Sequence, residues 1–275
     1  MRKLIAFAIL CFSILVSAQT DQNRTSGFKR NDGFLPFYWD AKKGMLLFEL
    51  SPQRINEDFI YFTGLSSGVG STLMFADRSS VGRSQLCRFV RAGPKVLVIA
   101  ENTDYRAEHG NPELKHSVER SFPTSVLAAL PIESEQSANI VVNANPLVVR
   151  DATGVLDQLR RPSRAVGGMI RQAEGSGANW HLDDQRSAVD MDHTRGFPLN
   201  TEVENILTFT SDTAPGINAP ERGVLTVHEH ISFLALPPGG YKPRVADPRV
   251  GFFGEHFQNF SQNYKNSLNQ TYIAR

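Results

Sequence analysis

Residues 86–100 read Leu86-Cys87-Arg88-Phe89-Val90-Arg91-Ala92-Gly93-Pro94-Lys95-Val96-Leu97-Val98-Ile99-Ala100. Two β-prone runs, 86–91 and 95–101, flank Ala92-Gly93-Pro94, and glycine followed by proline is a natural hairpin link. The spacing predicts two antiparallel strands. Val96 to Ala100 is apolar without a break, which suits a central strand covered on both faces.

The same reading extends outward. Strands are predicted at 45–50, 59–63, 72–76, 125–132, 140–143 and 147–150, and further on near 203–210 and 223–236. Residues 213–222, with Pro215, Gly216 and Pro220, read as the loop of a hairpin, and Pro237-Pro238-Gly239-Gly240 stops its second strand. Two short helices interrupt the pattern. Asn111-Pro112-Glu113 supplies a cap, a proline at the first helical position and an early acid. Leu114, Val118 and Phe122 then repeat every four residues. A second helix is expected over 152–161, capped by Asp151 and stopped by Pro162. The predicted fold class is α+β, predominantly antiparallel β-sheet with two or more short helices.

Composition narrows the class. The 275 residues carry 29 Lys+Arg against 28 Asp+Glu, a net charge of +1, which argues against nucleic-acid binding. A hydrophobic fraction of 41% is that of a globular chain rather than a disordered one. Arg2 and Lys3 precede an apolar run from Leu4 to Val16, and Val16-Ser17-Ala18 is a small-residue cleavage site. Residues 1–18 therefore read as a signal peptide, and the chain as exported to the periplasm or beyond the cell. No later stretch is long and apolar enough for a transmembrane segment. Cys11 leaves with the signal. Cys87 then stands alone and can form neither an internal disulfide nor a cysteine-based zinc site. Residues 19–32 read as a flexible lead-in, 33–161 as a β-rich subdomain with short helices and 162–179 as a loop or seam. Residues 180–254 continue the same domain, and 255–275 form a tail.

Several groups invite a chemical reading. Gly64-Leu65-Ser66-Ser67-Gly68 matches G-x-S-x-G, the nucleophile elbow, but that motif needs a helix directly after the serine. Residues Val69 to Phe75 are instead broken by glycine and then β-like, so a Gly/Ser loop between strands is the favoured reading of Ser66. His228 and His230 would share one face of a strand, where two imidazoles can bind a metal. Their phase with Thr226 and Ser232 points them to solvent instead. Glu229 falls on the apolar face with Leu225, Val227, Ile231 and Phe233. It needs a partner such as an arginine, or a bulge that turns it out. His181-Leu182-Asp183-Asp184 and Asp190-Met191-Asp192-His193 have metal-ligand types without a metal-loop spacing. No H-E-x-x-H occurs. N-x-[ST] sequons stand at Asn23, Asn259 and Asn269.

Four stretches together carry a family resemblance. They are Gly64 to Ser71 with Asp77-Arg78, and Phe89 to Leu97 leading to Asn102 and Tyr105-Arg106. The others are Ser117 to Phe122 with Ser125-Val126-Leu127, and Phe197-Pro198-Leu199-Asn200-Thr201-Glu202 through Thr210. Pro243-Arg244 and Asp247 to Phe253 come after the last. In this the chain, over roughly 33–275, resembles the uncharacterised N-terminal domain of large secreted bacterial zinc-dependent metallopeptidases. The resemblance implies a non-catalytic, prosegment-like or scaffold role, beside a peptidase domain acting in cis or in trans. Zinc and the extended H-E-x-x-H-x-x-G-x-x-H motif belong to that other domain, so no catalytic residue or cofactor transfers to this chain. A truncated or split family member is expected. Two other classes stay open: a serine hydrolase using Ser66, and a surface or carbohydrate-binding module with exposed Phe37, Tyr38 and Trp39. Beyond about Phe260 the aromatic tail is expected to be poorly packed, its rings awaiting the peptidase domain.

Overall fold

The computed structural model describes residues 24–70, 76–80, 82–160, 164–166, 169–171, 178–213, 219–239, 244–245, 249, 254–261 and 270–273. Along the chain lie β1 (Phe37–Asp40), β2 (Met45–Leu50), β3 (Asp58–Leu65), β4 (Gln85–Ala92), β5 (Lys95–Ala100) and β6 (Tyr105–Arg106). Helix α1 (Pro112–Ser121) precedes β7 (Ser125–Gln136) and β8 (Asn139–Asn143). Helices α2 (Asn145–Val148) and α3 (Val155–Arg160) lead to the hairpin β9 (Arg164–Val166) and β10 (Met169–Arg171), within the stretch expected as a loop or seam. Then come β11 (His181–Leu182), β12 (Ala188–Phe197), β13 (Asn200–Thr210), β14 (Val224–Ala235), β15 (Arg244–Val245), β16 (Gly254–Asn259) and β17 (Gln270–Ile273). The fold is mostly antiparallel β-sheet with three short α-helices among the described residues. None of them is long and apolar enough to cross a membrane.

The main sheet has 11 strands in the order β1-β2-β8-β7-β5-β4-β3-β14-β13-β11, with β12 also paired to β13. It curls around one core. Phe48 on β2 meets Phe233 on β14 edge to face, 5.2 Å between centroids, although five strands separate them in the sheet order. The two ends are tied by the segment before β1. Phe34 N–H donates to Phe197 O at 2.8 Å, and the Thr201 hydroxyl both accepts from Leu35 N–H and donates to Leu35 O, each at 3.0 Å. Glycine permits this seam. A Cβ on Gly196 would lie 2.0 Å from Asp32 O, and one on Gly33 2.8 Å from Gly196 Cα. The chain is engaged with the sheet still earlier, because Arg24 is paired with Asp40 and Glu133.

The opening hairpin is as expected: β4 and β5 pair antiparallel around Gly93-Pro94, with Gly93 at φ +61°. β5 is central in the sheet, but only one of its faces is fully covered. Val96, Val98 and Ala100 are buried, while Leu97 and Ile99 are half-exposed on the outer side. Residues 147–150, predicted as a strand, enter helix α2 instead. Pro146 sets φ for a first turn, and Asn145 is pinned from both sides, accepting from Leu46 N–H at 2.9 Å and donating to Gly44 O at 2.9 Å. Leu147 and Val148 are thereby buried in the core. The expected strand 72–76 lies almost wholly outside the described residues.

A second cluster joins Val155 and Leu159 of α3 to Trp180, Leu207, Phe209, Leu225 and Val227 at the far end of β13 and β14. Asp151 caps α3 by accepting from Val155 N–H at 2.7 Å and Leu156 N–H at 2.8 Å. The helix begins three residues later than predicted, because Gly154 adopts φ +79° and the N–H groups of Ala152 and Thr153 turn to another acceptor. A four-stranded sheet, β15-β17-β16-β6, lies beside α1. There Phe122 stacks on Tyr105 at 3.8 Å and meets Phe260 at 5.4 Å. The Arg106 guanidinium covers the ring of Phe257, which is buried. The tail thus folds back onto its own chain, and beyond Phe260, where loose packing was expected, β17 pairs with both β15 and β16. Tyr264 lies outside the described residues.

Candidate functional site

The β13–β14 register places Glu202 opposite Ser232 and Glu204 opposite His230. Side chains alternate across a strand, so these four share the outer face of the sheet. The His230 Nε2 lies 2.7 Å from Glu202 Oε2 and Nδ1 2.9 Å from Glu204 Oε2. Ser232 and Asn200 also donate to the Glu202 carboxylate, and the Ser66 hydroxyl donates to Glu204 Oε1. Hydrogen bonds to Glu202 and then Glu204 push the His230 imidazole up to about 9. Burial alone would raise Glu202, but the donors His230, Ser232 and Asn200 bring it below the ordinary carboxylate range.

His230 is therefore a clamped imidazolium, half-buried rather than turned freely to solvent as the strand phase suggested. Both ring nitrogens face carboxylates, which leaves no lone pair for a metal. Among the described residues no three His, Cys, Asp or Glu groups are placed to hold a metal ion. His228 is half-buried on the same face, and its backbone N–H is taken by the Ser67 hydroxyl at 2.7 Å.

Ser66 comes directly after a strand, as an elbow requires, but residues 66–70 form bends rather than a helix. Its hydroxyl meets a carboxylate and not an imidazole, and His230 sits across that carboxylate. A serine nucleophile needs the base's lone pair directly on its hydroxyl, and this arrangement offers none. The glycines have a packing reason. A Cβ on Gly68 would stand 2.8 Å from Arg78 N, so the loop folds closely onto Asp77-Arg78.

The inner face of the same strands carries a second polar group. Glu229 is fully buried, and its Oε2 accepts from Ala152 N–H at 3.1 Å, Thr153 N–H at 2.8 Å and the Thr153 hydroxyl at 2.9 Å. The anticipated partner for this residue was an arginine or a bulge, and the loop backbone takes that place. Burial, in part offset by these Thr153 bonds, pushes Glu229 up to about 7. Its Oε1 has no hydrogen-bond partner, nor have the neighbouring Asn205 Oδ1, Thr63 Oγ1 and Tyr61 Oη. Arg150 lies over the Tyr61 ring, 5.8 Å from its centroid.

The remaining predicted groups are dispersed. Asp183 caps a 3₁₀ turn and pairs with Arg186 at 2.7 Å. His181 Nε2 meets Thr210 Oγ1 at 3.0 Å, whereas His193 Nδ1 meets Asp190 Oδ2 at 2.8 Å beside the register shift of β12. The two halves of that acidic–His cluster lie about 17 Å apart along β13. Cys87 is buried, and burial pushes its thiol up to about 12. Phe37 and Tyr38 are buried rather than exposed, with the Tyr38 hydroxyl on Glu49 at 2.6 Å. Asn259 is buried, its amide donating to Glu108 Oε2 at 3.2 Å. Asn23 and Asn269 lie outside the described residues. Glu202 and Glu204 were missed by sequence reasoning. Their alternation before a predicted hairpin, matched by His230 and Ser232 after it, is the signal that could have found them.

Residues 79–275 match a family model described as a domain of unknown function, DUF5117. No curated protein and no solved structure matches the chain.

Proposed function

We propose that this chain, which belongs to the DUF5117 family, is an exported non-catalytic module with a scaffold or prosegment-like role beside a zinc-dependent metallopeptidase domain. The ordered run of four stretches that resemble such proteins' N-terminal domain carries the reading. Two features support it. The groups best suited to chemistry, Ser66, His230, Glu202 and Glu204, are consumed in bonds to one another. The turn between β12 and β13, inside the fourth stretch, exposes Phe197 by 47% and Leu199 by 72%, with Leu236 beside them through the Ala235 N–H bond to Leu199 O. Exposed apolar groups gathered at one end of a sheet suit a protein partner.

The test is to mix the chain with the catalytic domain of a zinc peptidase of the resembled family. A complex by size-exclusion light scattering, with peptidase activity changed in its presence and both effects weakened by Leu199→Asp, is the expected result. No complex at about ten micromolar, an affinity near 7 kcal/mol, and no effect on activity would refute it. Labelling of the wild type by a fluorophosphonate, lost in Ser66→Ala, would replace it with the hydrolase reading.

A further inference from the structure

Four buried side-chain oxygens without hydrogen-bond partners belong to residues on adjacent strands of the inner sheet face: Tyr61 and Thr63 on β3, Glu229 on β14 and Asn205 on β13. Each of these residues is at most 1% exposed. Buried polar atoms are nearly always paired, because an unpaired one costs about 1–3 kcal/mol. Such a group in one place calls for a physical account.

The bonds that do exist fix what is missing. Asn205 and Glu229 are direct cross-strand partners, which brings their Cβ atoms within about 5 Å. The Asn205 amide nitrogen is committed to Val148 O at 2.9 Å, so its Oδ1 is the atom left over. Glu229 Oε2 already takes three donors, so Oε1 is left over. Two acceptor oxygens are thus presented by neighbouring residues, and the Tyr61 and Thr63 hydroxyls donate to neither. The charges around them give no counter-ion in contact. Arg150 and Asp151 on the covering loop act on Glu229 through space and with opposite signs, and Tyr61 is the titratable group facing it from β3.

We propose that Glu229 is a proton-binding site: in the folded chain its Oε1 carries a proton directed at Asn205 Oδ1, and gain or loss of that proton sets how firmly β14 holds the 151–154 loop. The proton comes from solvent and turns the carboxylate into a neutral acid, which supplies the missing donor and removes a charge from the core. Oε2 holds its three bonds to the loop while the acid is neutral. Ionisation leaves a buried charged oxygen with no donor on it, and the folded chain relieves it by opening the loop to water. The loop carries the Asp151 cap of α3, so the protonation state reaches that helix.

The sign comes from burial, which lifts the folded-state acid from 4.5 to about 7. Stability conferred by the neutral acid is present below the unfolded value and is lost as pH rises through the folded one. The experiment is isotope-edited infrared spectroscopy of the full chain with labelled glutamate, paired with denaturation and amide exchange across pH. At about pH 6 a protonated-carboxyl band is expected in the wild type and is absent from Glu229→Gln. The wild-type folding constant should fall by up to about a hundredfold between about pH 5 and 8, with faster exchange at Ala152 and Thr153. Glu229→Gln mimics the neutral acid and should lose most of that dependence. An ionised Glu229 at about pH 5, or the same pH dependence in the variant, would overturn the proposal. Should that variant not fold, Asn205→Ala serves. A lower protonation midpoint supports the proposal, and an unchanged one overturns it.

Discussion

A single hydrogen atom decides what Gly196 can be. Its missing side chain lets Asp32 O approach to a distance where a Cβ would lie at 2.0 Å, and that neighbour is backbone. Gly196→Ala must therefore push the seam apart, at a cost of about 1–3 kcal/mol, read as a lower denaturation midpoint with an unchanged m-value. On the outer face His230 gives a pH signature. Its folded-state value of about 9 stands above 6.5, so its stabilisation is complete below pH 6.5 and lost as pH rises through 9. The side chain is 36% exposed, and screening reduces the effect to about 1 kcal/mol. His230→Gln should remove that alkaline loss of stability in a denaturation series. An equal loss in the variant would show that the two carboxylates do not clamp it.

At the scale of elements, caps decide where helices begin. Asn111 accepts from Leu114 N–H at 2.8 Å and starts α1 as the sequence predicts, with Val118 buried one turn later. Asp151 starts α3 from further away and serves two amides at once. Asp151→Ala should cost about 1–2 kcal/mol and raise amide exchange through Val155–Arg160 before the rest of the sheet. Unchanged protection there would mean that Leu159 and the Arg160 bonds to Trp180 O hold the helix without its cap. Strand β7 has its own device. Pro131, which has no N–H, sits where β7 leaves β5 and turns to β8, so no ladder bond is forfeited.

For the whole molecule, the contact that matters is between strands far apart in the sheet order. Phe233 touches Phe48, Phe59 and Tyr61, and so ties β14 to β2 across the core. Phe233→Ala should cost about 3–5 kcal/mol, measured by chemical denaturation. A loss below about 1 kcal/mol would mean that the curled sheet closes without that ring. The side sheet, within which β16 pairs in parallel with β6, is held to the end of α1 by the rings of Tyr105 and Phe260 against Phe122. This brings the C-terminal strands back beside α1, so Phe257 and Phe260 serve internal packing and β17 closes the side sheet.

Much of this was legible in the residues. Strand phase identified Glu229 as a carboxylate on an apolar face, and the β4–β5 turn, the α1 cap and the Asp151 cap arise from local chemistry alone. Periodicity failed at 147–150, where a short apolar run suits strand and buried helix equally and Asn145, bonded to β2, chose the helix. It also left Ser66, Glu204 and His230 unconnected, because their meeting depends on the pairing of β13 with β14 and of β14 with β3. Local sequence determined which segments extend, which face of each is apolar and which residues cap or turn. Pair register and sheet curl, set by contacts between residues distant in the sequence, were decided only by the tertiary structure. Those contacts placed two glutamates in a carboxylate–imidazolium clamp and a third in the core.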